Sequence, residues 1–407
     1  MNNWIENILN RCSKLEQSNS LESQLSDLLI EKCLRYAEKS GNIGTLLASA
    51  FDLLVSAEYY GMVSHSGWLY CPAEEPRLYF HFTNCCPRHV IANKFFFNPS
   101  NKPSSGKIGT ATSRLLLLFI QQLFQQKKFS EIVLKGAEPV DAVVVNYQTK
   151  QVLFAEIKAS PLVTLPISVE TQRLTKEQND EIINSEHIPV VNSTLYRTPI
   201  DIFLPVFVNG KWQGNYYRLG QRENEKDVYW AYRGLIDLLN NNEDFFEQYF
   251  KFWQEALKSY QPKSKDNIFW LTNACGTPSP IPQGWQKRRV GSGYESISDS
   301  KTSVGMDRTD DIKKGIYQVL KLGTEGKPLL SEWDYKVGII SNIHPARHFE
   351  EYLKSMHDIV WTNDESGRAS FVKDLPLEQK VFNLFDGIIA LTKTYSRDEW
   401  IDKLFAN

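Results

Sequence analysis

The sequence lacks an apolar run long enough to cross a bilayer, and this absence sets the first limit on its function. Nowhere in the 407 residues do about eighteen apolar residues follow one another, whereas a transmembrane helix needs about 20. The first residues, Met1 to Glu6, show neither the basic nor the apolar segment of a signal peptide. We therefore expect a cytoplasmic protein without a membrane partner.

Cysteine and net positive charge are also scarce. Six cysteines, scattered along the chain, do not form the dense spacing of a disulfide framework. The formal net charge is −2, from 46 Lys and Arg against 48 Asp and Glu, so the protein is not coated in positive charge. Any binding to DNA must then depend on basic residues gathered locally in a cleft.

Two partial motifs fail to indicate a nucleotide or methyl-donor cofactor. Ser105–Thr110 contains a Gly-Lys pair, but the upstream glycine of a P-loop is missing and isoleucine follows the lysine. Phe97–Ser100 is similar to the Asn-Pro-Pro-aromatic motif of amino-methyltransferases, but Ser100 interrupts it and no glycine-rich cofactor loop accompanies it. We expect neither ATP dependence nor methyl transfer.

Two acidic residues bracket an apolar hairpin in the middle of the chain. Ala142–Val145 and Val152–Ala155 are apolar runs of strand type, separated by polar turn residues. Asp141 opens the first run, and Glu156 closes the second. If the strands pair, both carboxylates reach the same end of the sheet, and Lys158 shares a face with the glutamate two residues before it.

This arrangement favours a site for a hard divalent cation. Mg²⁺ prefers carboxylate oxygens, substrate phosphate and water as ligands, and a neighbouring lysine can orient a nucleophile or stabilise developing charge. The alternative interpretation is that these are ordinary solvent-exposed charges without a function, because acids at strand ends and Glu-x-Lys pairs are common on exposed faces. Pro139, two residues before Asp141, and an apolar helix just upstream favour the metal-site interpretation.

The segments Glu138–Asp141 and Glu156–Lys158 resemble the motif of the PD-(D/E)xK nuclease superfamily. In its general organisation, the chain as a whole resembles type II restriction endonucleases. The resemblance implies that Asp141 and Glu156 bind Mg²⁺ and that Lys158 is the catalytic lysine. Here Pro-Val-Asp replaces the Pro-Asp of the motif. Glu138 is then either a solvated turn residue or a further acid of the metal site.

The same resemblance implies an α/β fold with a PD-(D/E)xK core, in which helices flank a central mixed β-sheet. It implies a site-specific endonuclease that hydrolyses double-stranded DNA with Mg²⁺-activated water. A homodimer is expected because one chain offers one active site and two strands must be cut. The alternatives are a DNA repair or recombination nuclease, or a non-catalytic DNA-binding protein on the same fold.

Pattern changes along the chain predict its domain organisation. We expect a helical N-terminal region with a Cys/His-containing lobe at 1–100 and the first part of the nuclease core at 101–160. We interpret 161–300 as an insertion carrying DNA-recognition elements, and 301–407 as the return to the core with C-terminal packing. An amphipathic helix at 312–322 and a strand at 337–340 would complete the sheet.

Basic residues near glycines and helix starts are candidates for DNA contact, although a run of charges is often only a solvated face. Gln318, on the predicted helix, is a candidate for approaching the active site. The candidate DNA-binding residues are Lys107, Arg114, Lys287, Arg288, Arg289, Lys301 and Arg308.

A second metal site is indicated by cysteine and histidine in the N-terminal lobe. Cys86-Pro87-Arg88-His89 is similar to half of a zinc knuckle, and Cys71 is a candidate for a further ligand of a structural Zn²⁺. His81, or alternatively Cys85, would complete the tetrahedron. The alternative is an apolar lobe in which the cysteines are buried as small apolar residues.

Overall fold

The computed structural model describes residues 4–16, 19–63, 68–71, 77–93, 100–170, 198–224, 226–262, 268–274, 304–329, 331–346, 348–362 and 372–405. The chain forms two compact units. The first unit contains Met1–Gln17, Leu116–Ala159 and Gly305–Asn407, and the second contains Ser18–Leu115 and Ser160–Val304. Residues 18–115 and 160–304, which the sequence assigns to separate regions, thus form one unit.

The helices are α1 (Trp4–Leu9), α2 (Ser20–Ser40), α3 (Ile43–Gly61), α4 (Pro87–Ile91), α5 (Ser105–Gln126), α6 (Trp230–Asn241), α7 (Glu243–Tyr260), α8 (Thr309–Gly326), α9 (Lys354–His357) and α10 (Glu399–Phe405). Short helical turns occur at Phe269–Leu271, Gly305–Asp307, Phe349–Leu353 and Val372–Asp374. Among these helices, none combines the length and the apolar character that crossing a membrane requires.

The strands are β1 (Ser13–Lys14), β2 (Leu69–Tyr70), β3 (Arg77–Phe80), β4 (Ile132–Lys135), β5 (Ala142–Asn146), β6 (Gln151–Ile157), β7 (Ile167–Glu170), β8 (Ile200–Val208), β9 (Lys211–Gly220), β10 (Asp334–Ser341), β11 (Val360–Trp361), β12 (Phe382–Asn383), β13 (Gly387–Ala390) and β14 (Tyr395–Ser396).

A seven-stranded mixed sheet forms the centre of the first unit. Its strand order is β1-β4-β5-β6-β10-β13-β14. The pairs β6–β10 and β10–β13 are parallel, and the other neighbours are antiparallel. Apolar side chains of α1 and α8 pack with alternate residues of β5, β6 and β10 in one buried core. The expected α/β fold, with helices flanking a central mixed sheet, is confirmed.

The turn between β5 and β6 is built from the polar residues that the sequence places there. Asn146 Oδ1 accepts hydrogen bonds from the backbone N–H groups of Gln148 (3.0 Å) and Thr149 (3.1 Å). Lys150 adopts a positive φ of 55° before the second strand begins. The two strands pair antiparallel from Ala142 opposite Ala155 to Asn146 opposite Gln151, so the predicted hairpin is confirmed.

The second unit is built on a five-stranded antiparallel sheet in the order β2-β3-β7-β8-β9, together with α2, α3, α6 and α7. Asn209 and Gly210 both adopt positive φ, 50° and 76°, in the turn between β8 and β9. Such a turn matches the twist of the paired strands. The Asn-Gly pair thus closes the β8–β9 hairpin.

Candidate active site

Asp141 and Glu156 lie at the same edge of the mixed sheet. Because Ala142 pairs with Ala155, the two acids are the next residues of the neighbouring strands toward that edge. Asp141 Oδ2 accepts a hydrogen bond of 3.1 Å from the backbone N–H of Ile157, which ties the aspartate to the end of β6. The hairpin register thus places the two carboxylates side by side.

Lys158 completes this cluster from the end of the same strand. Its backbone N–H donates to the carbonyl of Ile340 on β10, at 3.0 Å, so the parallel neighbour fixes the position of the lysine. Its ammonium Nζ lies 2.5 Å from Glu156 Oε1, and both side chains are largely buried. The sheet thus brings Asp141, Glu156 and Lys158 together at one edge.

The electrostatic environment of Glu156 is unusual for a carboxyl group. Burial raises the pKa of Glu156 to about 7, the nearby Lys158 opposes that increase, and the Asp141 carboxylate adds to it. The carboxyl therefore titrates near neutral pH when no cation is bound. A second positive charge between the two acids would favour the ionised form of both, as a divalent cation does.

The segment leading into Asp141 is tightly folded. The N–H of Gly136 donates to the Asp141 carbonyl at 2.9 Å. A Cβ atom at position 136 would lie 2.1 Å from the carbonyl oxygen of Val140, so only glycine fits without displacing the backbone. Glu138 is exposed within this turn, in agreement with its interpretation as a solvated turn residue.

Helix α8 approaches the carboxylates closely. Gln318 Nε2 donates a hydrogen bond to the carbonyl of Pro139, two residues before Asp141. A Cβ on Gly315 would lie 3.9 Å from Cγ of Glu156 and 3.2 Å from Cδ1 of Ile339. Gln318 thus contacts the segment that leads into Asp141, while its approach to an active site stays a prediction. Gly315 is a neighbour of Glu156 that we did not predict.

The close packing around Gly315 could have been suspected from the sequence. Glycine within a helix costs up to about 1 kcal/mol relative to alanine, so its presence on an apolar helical face indicates close packing. The sequence does not show which residue packs there.

Arg114 is engaged inside the second unit. Its guanidinium Nη1 donates to Glu22 Oε2 at 2.7 Å, and Nη2 lies 3.5 Å from Glu58 Oε2. Glu22 is fully buried, which makes the arginine part of the packing between helices. A contact of Arg114 with DNA stays a prediction, and this ion pair competes with it.

The other predicted DNA-binding residues differ in their surroundings. Lys107 is exposed in the first turn of α5. Arg308 is partly exposed, and its Nε lies 3.4 Å from Asp311 Oδ2. Lys287, Arg288, Arg289 and Lys301 lie outside the described residues. Contacts of all of these with DNA stay predictions.

Of the four predicted zinc ligands, the structure brings three together. The ligand atoms of Cys71, Cys86 and His89 lie within 4.8 Å of one another. His81 is fully buried but is not a member of this group. The choice of His81 as a ligand, made from spacing alone, therefore finds no support in the geometry.

A cavity of about 850 Å³ lies in the second unit between the β8–β9 hairpin and α7. Its lining includes the aromatic side chains of Phe207, Trp212 and Phe252 and none of the predicted catalytic residues. The residues that line this cavity do not form a cluster of ionisable groups like that at the edge of the mixed sheet. The cavity is therefore not our candidate active site, despite its size.

The chain gives no match when it is compared with protein-family models, with curated proteins or with solved structures.

Proposed function

We propose that this protein is a Mg²⁺-dependent endonuclease that hydrolyses phosphodiester bonds of double-stranded DNA on a PD-(D/E)xK core. The observation that carries the proposal is the convergence of Asp141, Glu156 and Lys158 at one edge of the central sheet. The proposed substrate rests on the resemblance of these residues to the nuclease motif. Site-specific cleavage by a cytoplasmic homodimer, as in type II restriction enzymes, is the further expectation.

The donor set fits Mg²⁺. Two carboxylates are the usual protein contribution to a magnesium site, with water and substrate phosphate as the remaining ligands. The increased pKa of Glu156, caused first by burial and then opposed by Lys158, means that ionising this acid is costly without a cation. Asp141 and Glu156 would hold the ion. When bound, Mg²⁺ polarises a phosphoryl oxygen and lowers the pKa of the attacking water.

Lys158 places a positive charge next to the carboxylates. Its ammonium group is a hydrogen-bond donor that can orient the nucleophile or stabilise charge that develops on the phosphate. Lys158 directly follows β6, and its backbone hydrogen bond to Ile340 of β10 holds it at the edge of the sheet. A rigid support of this kind favours accurate positioning of a catalytic group.

Helix α8 also carries candidates for phosphate contact. Lys313 and Lys314 are exposed and immediately precede Gly315, at which a Cβ would lie 3.9 Å from Cγ of Glu156. Lys314 lies four residues before Gln318, so the two side chains share one side of the helix. A local basic surface of this size is compatible with DNA binding by a protein whose net charge is −2.

The test is digestion of a large unmethylated DNA by the purified protein with Mg²⁺ and, in parallel, with EDTA. Discrete fragments that form only with Mg²⁺ would support a site-specific nuclease. A smear that depends on Mg²⁺ would support a repair or recombination nuclease instead. DNA binding without cleavage, at every Mg²⁺ concentration tested, would replace the proposal by a non-catalytic DNA-binding protein.

A further inference from the structure

Two thiols and one imidazole meet in the second unit, where the proposed nuclease function requires none of them. Cys86 Sγ lies 3.1 Å from Nδ1 of His89, and Cys71 Sγ lies 3.5 Å from the same nitrogen. Both cysteines are only 1% exposed, while the histidine is half-buried. The three ligand atoms thus form a compact triangle. The two cysteines are covered by protein, and the histidine is more accessible to solvent.

Local structure sets each of these three side chains. Cys71 directly follows β2, and its N–H bonds to the Arg77 carbonyl at 3.3 Å, at the start of β3. Cys86 is the residue before α4, and Pro87 begins that helix. His89 follows Cys86 by three residues, which places both side chains on one side of the first helical turn. The hairpin and the helix thus present their ligands to a common point.

The separations agree with those in a tetrahedral zinc site. With bonds of about 2.3 Å to sulfur and about 2.0–2.1 Å to nitrogen, zinc holds a sulfur and a nitrogen about 3.5 Å apart and two sulfurs about 3.8 Å apart. The observed distances of 3.1 and 3.5 Å are within about 0.5 Å of this geometry. A shift of a few tenths of an ångström in flexible side chains would accommodate the ion.

We propose that Cys71, Cys86 and His89 bind one Zn²⁺ ion, with a water molecule as the fourth ligand. Thiolate and imidazole ligands select Zn²⁺ over Mg²⁺, which prefers oxygen. On binding, the two thiols release their protons to solvent and both sulfur lone pairs are donated to the ion. The site would connect the β2–β3 hairpin to α4, two elements too short to be stable alone. This inference does not rest on the proposed nuclease function.

The experiment is measurement of zinc by mass spectrometry in protein expressed with added Zn²⁺ and freed of loosely bound metal. We expect about one zinc ion per chain in the wild type and less than about 0.1 in Cys86→Ser and His89→Ala. Cys33→Ala, which removes a buried cysteine outside the group, and Arg88→Ala, beside the histidine, are the controls and should retain the ion. Wild type without zinc, or Cys86→Ser with a full complement, would overturn the proposal.

Two further measurements use the wild-type protein, so they do not depend on whether the variants fold. Replacement of zinc by Co²⁺ in the wild type should give sulfur-to-cobalt charge-transfer absorption and the visible bands of tetrahedral cobalt. Counting of thiols in denaturant without reductant should find all six cysteines reduced. Absence of the cobalt bands, or loss of two thiols to a Cys71–Cys86 disulfide, would contradict a zinc site.

Discussion

Gln318 donates a side-chain hydrogen bond to the carbonyl of Pro139, and so fastens helix α8 to the segment that leads into Asp141. The bond joins residues that are far apart in the sequence but adjacent at the edge of the sheet. Asp141 itself accepts from the Ile157 N–H, so one bond holds the aspartate and the other holds the segment before it. We therefore predict that Gln318 acts as a positioning residue for the proposed metal site.

Gln318→Met should slow DNA cleavage about tenfold or more, because a small misplacement of a ligand is costly in rate. The loss of one partly buried hydrogen bond should lower the free energy of unfolding by only about 1 kcal/mol. Single-turnover cleavage rates at saturating Mg²⁺ and urea unfolding together check this. Gln125→Met, at an exposed position of α5, is the matched control. Equal cleavage rates for Gln318→Met and wild type would refute the positioning role.

Gly315 gives a steric test of how closely α8 covers the site. In Gly315→Ala, the new Cβ meets the flexible end of Ile339 at 3.2 Å, and the gain in helix propensity offsets part of that contact. In Gly315→Val, the added methyl groups crowd Glu156, and we expect a loss of about 1–3 kcal/mol in stability together with slower cleavage. Gly109→Val is the control, because nothing lies within 4 Å of the Cβ it creates.

The comparison is made by thermal unfolding and by initial cleavage rates on the same preparations. If Gly315→Val were as stable and as active as Gly109→Val, the close approach of α8 to Glu156 would be wrong.

Arg114 and Lys107 should respond differently to removal of their charge. Arg114→Met leaves the buried Glu22 carboxylate without its arginine, and we expect a loss of about 3 kcal/mol in the free energy of unfolding. Lys107→Ala, at an exposed position, should change stability by less than about 0.5 kcal/mol. If it contacts phosphate, it should weaken DNA binding and reduce the slope of log K against log salt by about one.

Urea unfolding and fluorescence anisotropy at several salt concentrations measure the two effects. The double variant Glu22→Gln/Arg114→Met should be more stable than Arg114→Met alone, since it removes the buried acid together with its arginine. An unchanged unfolding midpoint in Arg114→Met would show that the ion pair is not structural.

Glu156 should make the metal-free protein less stable as pH rises. Burial raises the pKa of its carboxyl to about 7 in the folded state, above the ordinary value of 4.5. Between these values the folded state keeps a proton that the unfolded state has released, so stability falls as pH increases and the full cost is present above about 7. After allowance for partial solvent exposure, we expect this cost to be about 1–2 kcal/mol.

Glu156→Gln should therefore unfold at a higher urea concentration than wild type at pH 8 in EDTA, and the difference should disappear toward pH 4. Glu138→Gln, which changes an exposed acid in the same region, controls for a general effect of charge. A variant that is less stable than wild type at pH 8 would contradict the buried, costly carboxylate.

The local parts of the candidate site could be predicted from the sequence, whereas its long-range partners could not. The β5–β6 hairpin follows from two apolar runs and a polar turn, so the side-by-side placement of Asp141 and Glu156 needs no distant information. Gly315 carries only a general signal of close packing. Arginine is a residue type that often contacts phosphate, which is why Arg114 is a candidate for DNA binding. Its partner Glu22 is 92 residues away, and no local pattern indicates the pairing.

The cysteine and histidine cluster shows the same limit. Cys86 and His89 are three residues apart on a helical turn, so their proximity is local and predictable. The addition of Cys71, and not His81, depends on the approach of the residue that follows β2 to His89 on α4, which is 18 residues away in the sequence. Sequence spacing alone therefore offered four ligands where the structure gathers three.

The most direct test of the central claim compares DNA cleavage by Glu156→Gln and by Glu138→Gln, each with Mg²⁺ and each checked for DNA binding with Ca²⁺ in place of Mg²⁺. The first variant changes an acid beside Asp141 and Lys158, and the second changes an exposed acid of the neighbouring turn. We expect Glu156→Gln to bind DNA and to cleave it at least about 1,000-fold more slowly than wild type, whereas Glu138→Gln should cleave normally. Wild-type cleavage by Glu156→Gln would contradict the assignment of the active site to this edge of the sheet.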